Sequence, residues 1–140
     1  MLVSCRANVS NENTINLYVA DSDVSKLTLE KTDIPKENLE EIISETIKRN
    51  DKCFNPITKV LNITVKDKIA YVDLNNEFDD PNTNSSALAR LKVFSIVNGL
   101  CLNKSLNIDG VYFLIEGEQQ EGVAGMGIKD GGPFTGREYL

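Results

Sequence analysis

The stretch Ala70-Tyr-Val-Asp-Leu-Asn-Asn-Glu-Phe78 changes its pattern half-way along. Ala70, Val72 and Leu74 fall on one face of an extended chain and Ile69, Tyr71 and Asp73 on the other, the period-two signature of a strand. Both faces are mostly apolar, so the strand is expected inside a sheet. Asn75, Asn76, Asp79, Asp80 and Pro81 then break the period with short polar side chains that bond nearby backbone and a proline that cannot donate to a ladder. The chain must leave the sheet there.

Downstream, Ser85 or Ser86 can cap a helix running to about Leu100. In it Ala87, Leu91, Phe94, Val97 and Cys101 form one stripe, widened by Leu88, Ile96 and Leu100. Charges are few beyond Arg90 and Lys92, so this surface is either deeply buried or contacts a partner. Val111 to Ile115 is an unbroken apolar run, expected to be a strand buried on both faces in the middle of the sheet. Upstream, Leu61, Ile63 and Val65 alternate with polar residues, and Lys66-Asp67-Lys68 suits a tight connection into the Ile69 strand. Those two strands should be antiparallel neighbours.

Further upstream, Pro35 suits a first helical turn, and Leu39, Ile42, Ile43 and Ile47 recur at helical spacing with Glu40, Glu41, Glu45 and Lys48 opposite. Ile15, Leu17 and Val19 mark a first strand ending at Asp21-Ser-Asp23. A second strand is expected to turn Leu27 and Leu29 inward and Thr28 and Glu30 outward, in a hairpin with the first. The pattern predicts an α+β fold: a two-layer α/β sandwich with a mixed or antiparallel sheet of about four to five strands and two helices, roughly β-(β)-α-β-β-α-β. Residues 1–13 read as an N-terminal tether and 14–117 as the domain core. Residues 118–140, rich in glycine, read as a segment of the same domain that Phe134 and Tyr139 could anchor.

The chain has 140 residues, with 41% hydrophobic and 26% charged, ordinary values for one globular domain. A net charge of −6 without a clustered excess of Lys and Arg argues against nucleic acid and against an anionic membrane surface as partners. Histidine is absent. That removes the Ser-His-Asp and Cys-His arrangements and the commonest zinc ligand, the strongest single argument against a hydrolase.

Cys5, Cys53 and Cys101 have no CxxC spacing, which speaks against structural zinc. Leu2-Val3-Ser4-Cys5 resembles the bacterial lipobox, where a small residue precedes the cysteine that is lipidated. The charged and long apolar regions of a signal peptide are missing before it, so the match reads as a truncated lipobox or as an ordinary N-terminal arm. Cys53 and Cys101 could pair in an oxidising compartment. A free buried thiol is the expectation for Cys101 on its apolar helix face.

Asp21 and Asp23 resemble the start of a calcium loop, yet Lys26 stands where the loop's glycine belongs and Thr32 where its closing glutamate belongs. A plain turn is the better reading. Glu77, Asp79 and Asp80 could bind a cation or act as an acid/base pair, but stabilising a turn and a helix N-terminus is the simpler role. Gly125-Met-Gly127 and Gly131-Gly132 lack the strand, helix and Lys-Ser ending of a phosphate loop. The Asn-x-Ser/Thr triplets at Asn8, Asn62, Asn84 and Asn103 are read as composition. No metal, cofactor or catalytic residue is expected.

In order, Leu17-Tyr-Val-Ala-Asp21, Leu27-Thr-Leu-Glu30, Val65 to Phe78, the helix Ala89 to Leu100, and Val111-Tyr-Phe-Leu-Ile-Glu-Gly117 resemble the GerM-type sporulation and spore-germination domain, written GerMN. Glu121-Gly-Val-Ala-Gly125 followed by Pro133-Phe134 is similar to that family's C-terminal segment. The chain departs from the pattern at Gly99, where threonine is frequent, and at Met126, where histidine is frequent.

The resemblance implies a small α/β domain on extracytoplasmic, often lipid-anchored proteins of sporulation or germination, without established catalytic residues. It implies lipidation at Cys5, envelope or sporulation proteins as partners, self-association, and membrane contact through the lipid anchor alone. The partner surface would be a sheet edge or the apolar face of the second helix. The alternative is a peptidoglycan-fragment binding module or weak carboxylate-based cell-wall hydrolase, with a cleft lined by Tyr71, Tyr112 and the Glu77 to Asp80 cluster.

Overall fold

The computed structural model describes residues 14–120, 122–123, 126–127 and 133–138. Strand β1 (Ile15–Ala20) pairs antiparallel with β2 (Leu27–Thr32), from Ile15 opposite Thr32 to Ala20 opposite Leu27. Ile15, Leu17 and Val19 are buried in alternation, as their spacing predicts. On β2 only Leu27 is buried, and Leu29 is 59% exposed rather than inward. The two strands form a sheet of their own, so only β1 has a layer packed on it and alternation in β2 has little to point towards.

Helix α1 (Leu39–Arg49) buries Ile42, Ile43, Thr46 and Ile47 and carries Glu40 and Glu41 in its first turn and Lys48 and Arg49 in its last, matching the helix dipole. Pro35 is not in its first turn. It opens the tight turn before it, where the Asn38 N–H donates to the Pro35 carbonyl over 3.0 Å.

The principal sheet has the order β3 (Val60–Lys66), β4 (Ile69–Leu74), β5 (Gly110–Ile115), β6 (Glu118–Gln119). β3 is antiparallel to β4, β4 parallel to β5 and β5 antiparallel to β6, a mixed sheet. The turn between β3 and β4 consists of Asp67 and Lys68, with φ of 53° and 66°, the left-handed pair that a two-residue hairpin requires. β4, the strand of the opening stretch, is the one with full-length neighbours on both sides. β5 is not fully buried on both faces: Val111, Phe113 and Ile115 face the core, whereas Tyr112 and Leu114 are half-buried on a face without a helix.

Helix α2 (Ser86–Cys101) is capped by the Ser85 hydroxyl, which accepts from the Leu88 N–H. Ala89 and every residue from Leu91 to Leu100 are buried. The helix lies between the β1–β2 hairpin and the principal sheet. Its wide apolar surface is therefore core, and the expectation that it could face a partner is corrected. Phe78, Phe113, Phe134 and Phe94 form a chain of ring contacts 5.1–5.8 Å apart across that core. Phe134 also bridges to Val111 through two backbone hydrogen bonds, which fix it against β5. Short strands β7 (Gly122–Val123) and β8 (Met126–Gly127) pair with each other where no strand is predicted. Tyr139, Gly131 and Gly132 lie outside the described residues, as do Asn8 and Cys5.

Candidate functional surface

The polar segment after β4 folds into two 3₁₀ turns, Asn76–Asp79 and Pro81–Thr83, and its carboxylates are turned to structural use. Asp80 accepts from the Asn82 N–H at 3.0 Å and from the Asn55 side chain at 2.9 Å, bonds that hold its carboxyl below the ordinary range. Asp79 accepts from the Asn84 amide at 2.8 Å. Glu77 stands half-exposed in the same turns. The helix N-terminus expected to use these carboxylates is instead served by Ser85.

Lys92 lies beneath this loop with no exposed surface. Its ammonium donates to the Phe78 carbonyl at 2.7 Å, the Thr83 hydroxyl at 2.7 Å and the Asn84 side-chain oxygen at 2.6 Å, using all three protons. It also sits 5.3 Å from the centre of the Phe78 ring. Burial pulls its pKa down to about 8, against the attraction of Asp79 and Asp80. Sequence reading missed this role; the available signal was a lone lysine inside the apolar run Leu91 to Val97.

Asparagines carry a second group of structural bonds. The Asn103 side chain accepts from the Asn16 N–H and donates to the Asn16 and Gly99 carbonyls. Asn50 accepts from the Ala20 N–H and donates to the Tyr18 and Thr46 carbonyls. Together they occupy the edge of β1 that faces away from β2. Asn98 clamps the N–H and carbonyl of Arg137 in the same manner.

Asp21 accepts from the Ser25 N–H at 2.7 Å and the Ser25 hydroxyl at 2.8 Å, which lower its pKa and make it the lock of the β1–β2 turn. Asp73 accepts from the Gly117 N–H at 2.8 Å. No cluster of three or more His, Cys, Asp or Glu suited to a metal occurs among the described residues. Cys53 and Cys101 are both free thiols, and burial pushes each up to about 11.

Tyr71 and Tyr112 stack on the outer face of the sheet, 5.3 Å apart and 6° from parallel. With Phe113, Leu114 and Gln119 they line a pocket of about 230 Å³. None of Glu77 to Asp80 lines it, so the expected cleft of tyrosines and carboxylates does not form there.

Among the described residues the outer edges of β2, which carries Glu30 and Lys31, and of β3 have no partner strand. On β3, Asn62, Thr64, Val65 and Lys66 are exposed, Leu61 by 43% and Val65 by 44%, and nearby Ile57 by 65%. Beside β3 a groove of about 620 Å³ runs between Ile63 and the start of α1, rimmed by Glu37, Glu40 and Glu41.

A family profile described as Germane, sporulation and spore germination, matches residues 10–121. The chain belongs to the Germane family. Among solved structures it is similar to the first GerMN domain of the sporulation protein GerM from Bacillus subtilis, at 20% identity and a TM-score of 0.59, over 91% of this chain and 96% of that one. It is also similar to the tandem GerMN domains of that protein, at 20% identity and a TM-score of 0.55, over 91% of this chain and 46% of that one. A search of curated proteins returned no match.

The Germane domain of this chain thus has the GerMN fold, with two helices and the β-β-α-β-β-α-β succession its sequence predicted, the first two strands forming a sheet of their own. Of the two departures from the family pattern, Gly99 is buried in α2 and an added Cβ there would meet nothing within 4 Å. The described residues include no helix long and apolar enough to cross a membrane.

Proposed function

We propose that this Germane domain is a non-enzymatic interaction module of the bacterial envelope, working outside the membrane in sporulation or germination and tethered through a lipid on Cys5. The observation that carries the reading is where the polar groups go. Asp21, Asp73, Asp79 and Asp80 each accept hydrogen bonds from neighbouring turns, and Lys92 is fully occupied, so the acidic loop is organised as scaffold. The free features are instead an open strand edge and exposed apolar side chains, the materials of protein docking by strand addition. Envelope or sporulation proteins are the partners this reading requires.

The test is genetic and chemical together. Deleting the gene should reduce heat-resistant spores or their germination, and the native protein should label with a palmitate analogue only when Cys5 is present. Normal sporulation and germination in the deletion strain would count against the role, and labelling of a Cys5→Ser variant would count against the anchor.

The Tyr71–Tyr112 pair favours a second reading, binding of a peptidoglycan fragment by stacking of sugar faces on parallel rings. Its hydrolase variant has no carboxylate pair at that pocket. Saturation-transfer NMR with muropeptides separates the two: transfer at the tyrosines supports binding, and none at millimolar ligand ends it.

A further inference from the structure

We propose that β3 is the self-association strand of this domain, pairing antiparallel with β3 of a second copy about a two-fold axis at Ile63. The edges of the fold are unequally protected. β1 is sealed by Asn50 and Asn103, and β5 is covered by β6 and by Phe134. β2 and β3 each pair on one side only. On β2 the bonded Asp21–Lys26 pair leaves Leu27, Leu29 and Lys31 pointing their N–H and C=O outward, so that edge carries a charge.

The hairpin turn fixes which groups of β3 are free. In a two-residue hairpin the residues flanking the turn, here Lys66 and Ile69, exchange hydrogen bonds, so Lys66, Thr64 and Asn62 point their N–H and C=O into β4. Ile63 and Val65 therefore point theirs outward. Free edges are ordinarily blunted by charge at such positions. Here Leu61, Ile63 and Val65 are all apolar, and two of them are exposed.

The occupant follows from complementarity. A two-fold centred on Ile63 sets Ile63 beside its own copy, Leu61 beside Val65, and Lys59 beside Asp67, each of the last two pairs occurring twice. Lys59 and Asp67 are exposed, and neither has an ion-pair partner among the described residues. The bulge at Leu61 ends the regular ladder, so pairing is confined to the 61–65 stretch with the charge pair just beyond it. So short an interface falls below the roughly 1,200 Å² of a stable complex, and association is expected in the range of hundreds of micromolar. The inference does not depend on the envelope role, since it concerns the purified chain alone.

Sedimentation equilibrium up to about 1 mM, with amide hydrogen exchange on the same samples, tests it. The wild type should form dimers, and the Ile63 and Val65 amides should gain protection as concentration rises. Lys59→Glu and Asp67→Lys should each weaken dimerisation about tenfold, because each juxtaposes two like-charged pairs. Mixed together, the two variants should dimerise as the wild type does, since both cross-pairs become opposite in charge. Val65→Pro removes an outward N–H without touching the β4 ladder and should abolish dimers while unfolding near the wild-type temperature. A chain that stays monomeric, or dimers indifferent to mixing and to Val65→Pro, overturns the proposal. The first outcome leaves the edge to a strand of another protein; the second places self-association on another face.

Discussion

Lys92 is the side chain on which the acidic loop is built. Replacing it with Met strands the Phe78 carbonyl and the Asn84 oxygen at the base of the loop, and should cost about 1–3 kcal/mol in urea denaturation at neutral pH. Its pH signature is specific. The lysine titrates near 10.5 in the unfolded chain and near 8 in the folded one, so between those values the unfolded chain holds more protons and stability rises with pH. Cys53 and Cys101, raised from 9.0 to about 11, act oppositely: stability falls as pH climbs through that interval. Subtracting the Lys92→Met profile from that of Lys92, both in a Cys53→Ala background because the lysine charge pulls the Cys53 thiol down, cancels Cys101 and removes Cys53. The difference should be flat below about pH 8 and rise in favour of Lys92 towards 10.5; parallel curves would mean the lysine is not buried as charge. At Gly99 the expected sign is reversed. With space for a Cβ and helical backbone, Gly99→Ala should stabilise by about 0.5–1 kcal/mol, read as a higher denaturation midpoint.

At the scale of elements, what was legible in the sequence is what periodicity encodes. β1, α1, β4 and α2 lie where their apolar spacing puts them, and the turn residues of 75 to 81 end β4 as short polar side chains should. Coverage of a face is a different matter, because it depends on which layer arrives opposite. Leu29 looks inward by alternation and is exposed because nothing packs on β2; Tyr112 looks buried within an apolar run and is half-exposed because the helices occupy one side of the sheet. The bonds of Lys92 were equally unreadable, since its three acceptors come from two irregular turns up to fourteen residues away. The β3–β4 turn carries a measurable strain of this kind. Lys68 holds φ of 66°, a conformation that glycine accepts more readily, so Lys68→Gly should stabilise the hairpin by about 0.5–1 kcal/mol, checked by thermal unfolding.

Across the whole molecule, polar side chains that sequence alone offers as a site are drawn into the scaffold, and the β3 edge is left with neither a partner strand nor an outward charge along 61–65. The GerMN fold places that edge opposite the Phe134 closure, with β4 and β5 between them. Such an arrangement suits a domain whose work is assembly, with affinity coming from main-chain pairing and a small apolar patch. If assembly through β3 is the domain's work, that edge must matter in the cell. The direct measurement is to replace the chromosomal gene with the Val65→Pro allele and count heat-resistant spores and their germination beside wild-type and deletion strains, with protein levels checked by immunoblot. The variant should accumulate normally and behave as the deletion; full wild-type sporulation and germination from Val65→Pro, in a background where the deletion fails, would rule out assembly through this edge.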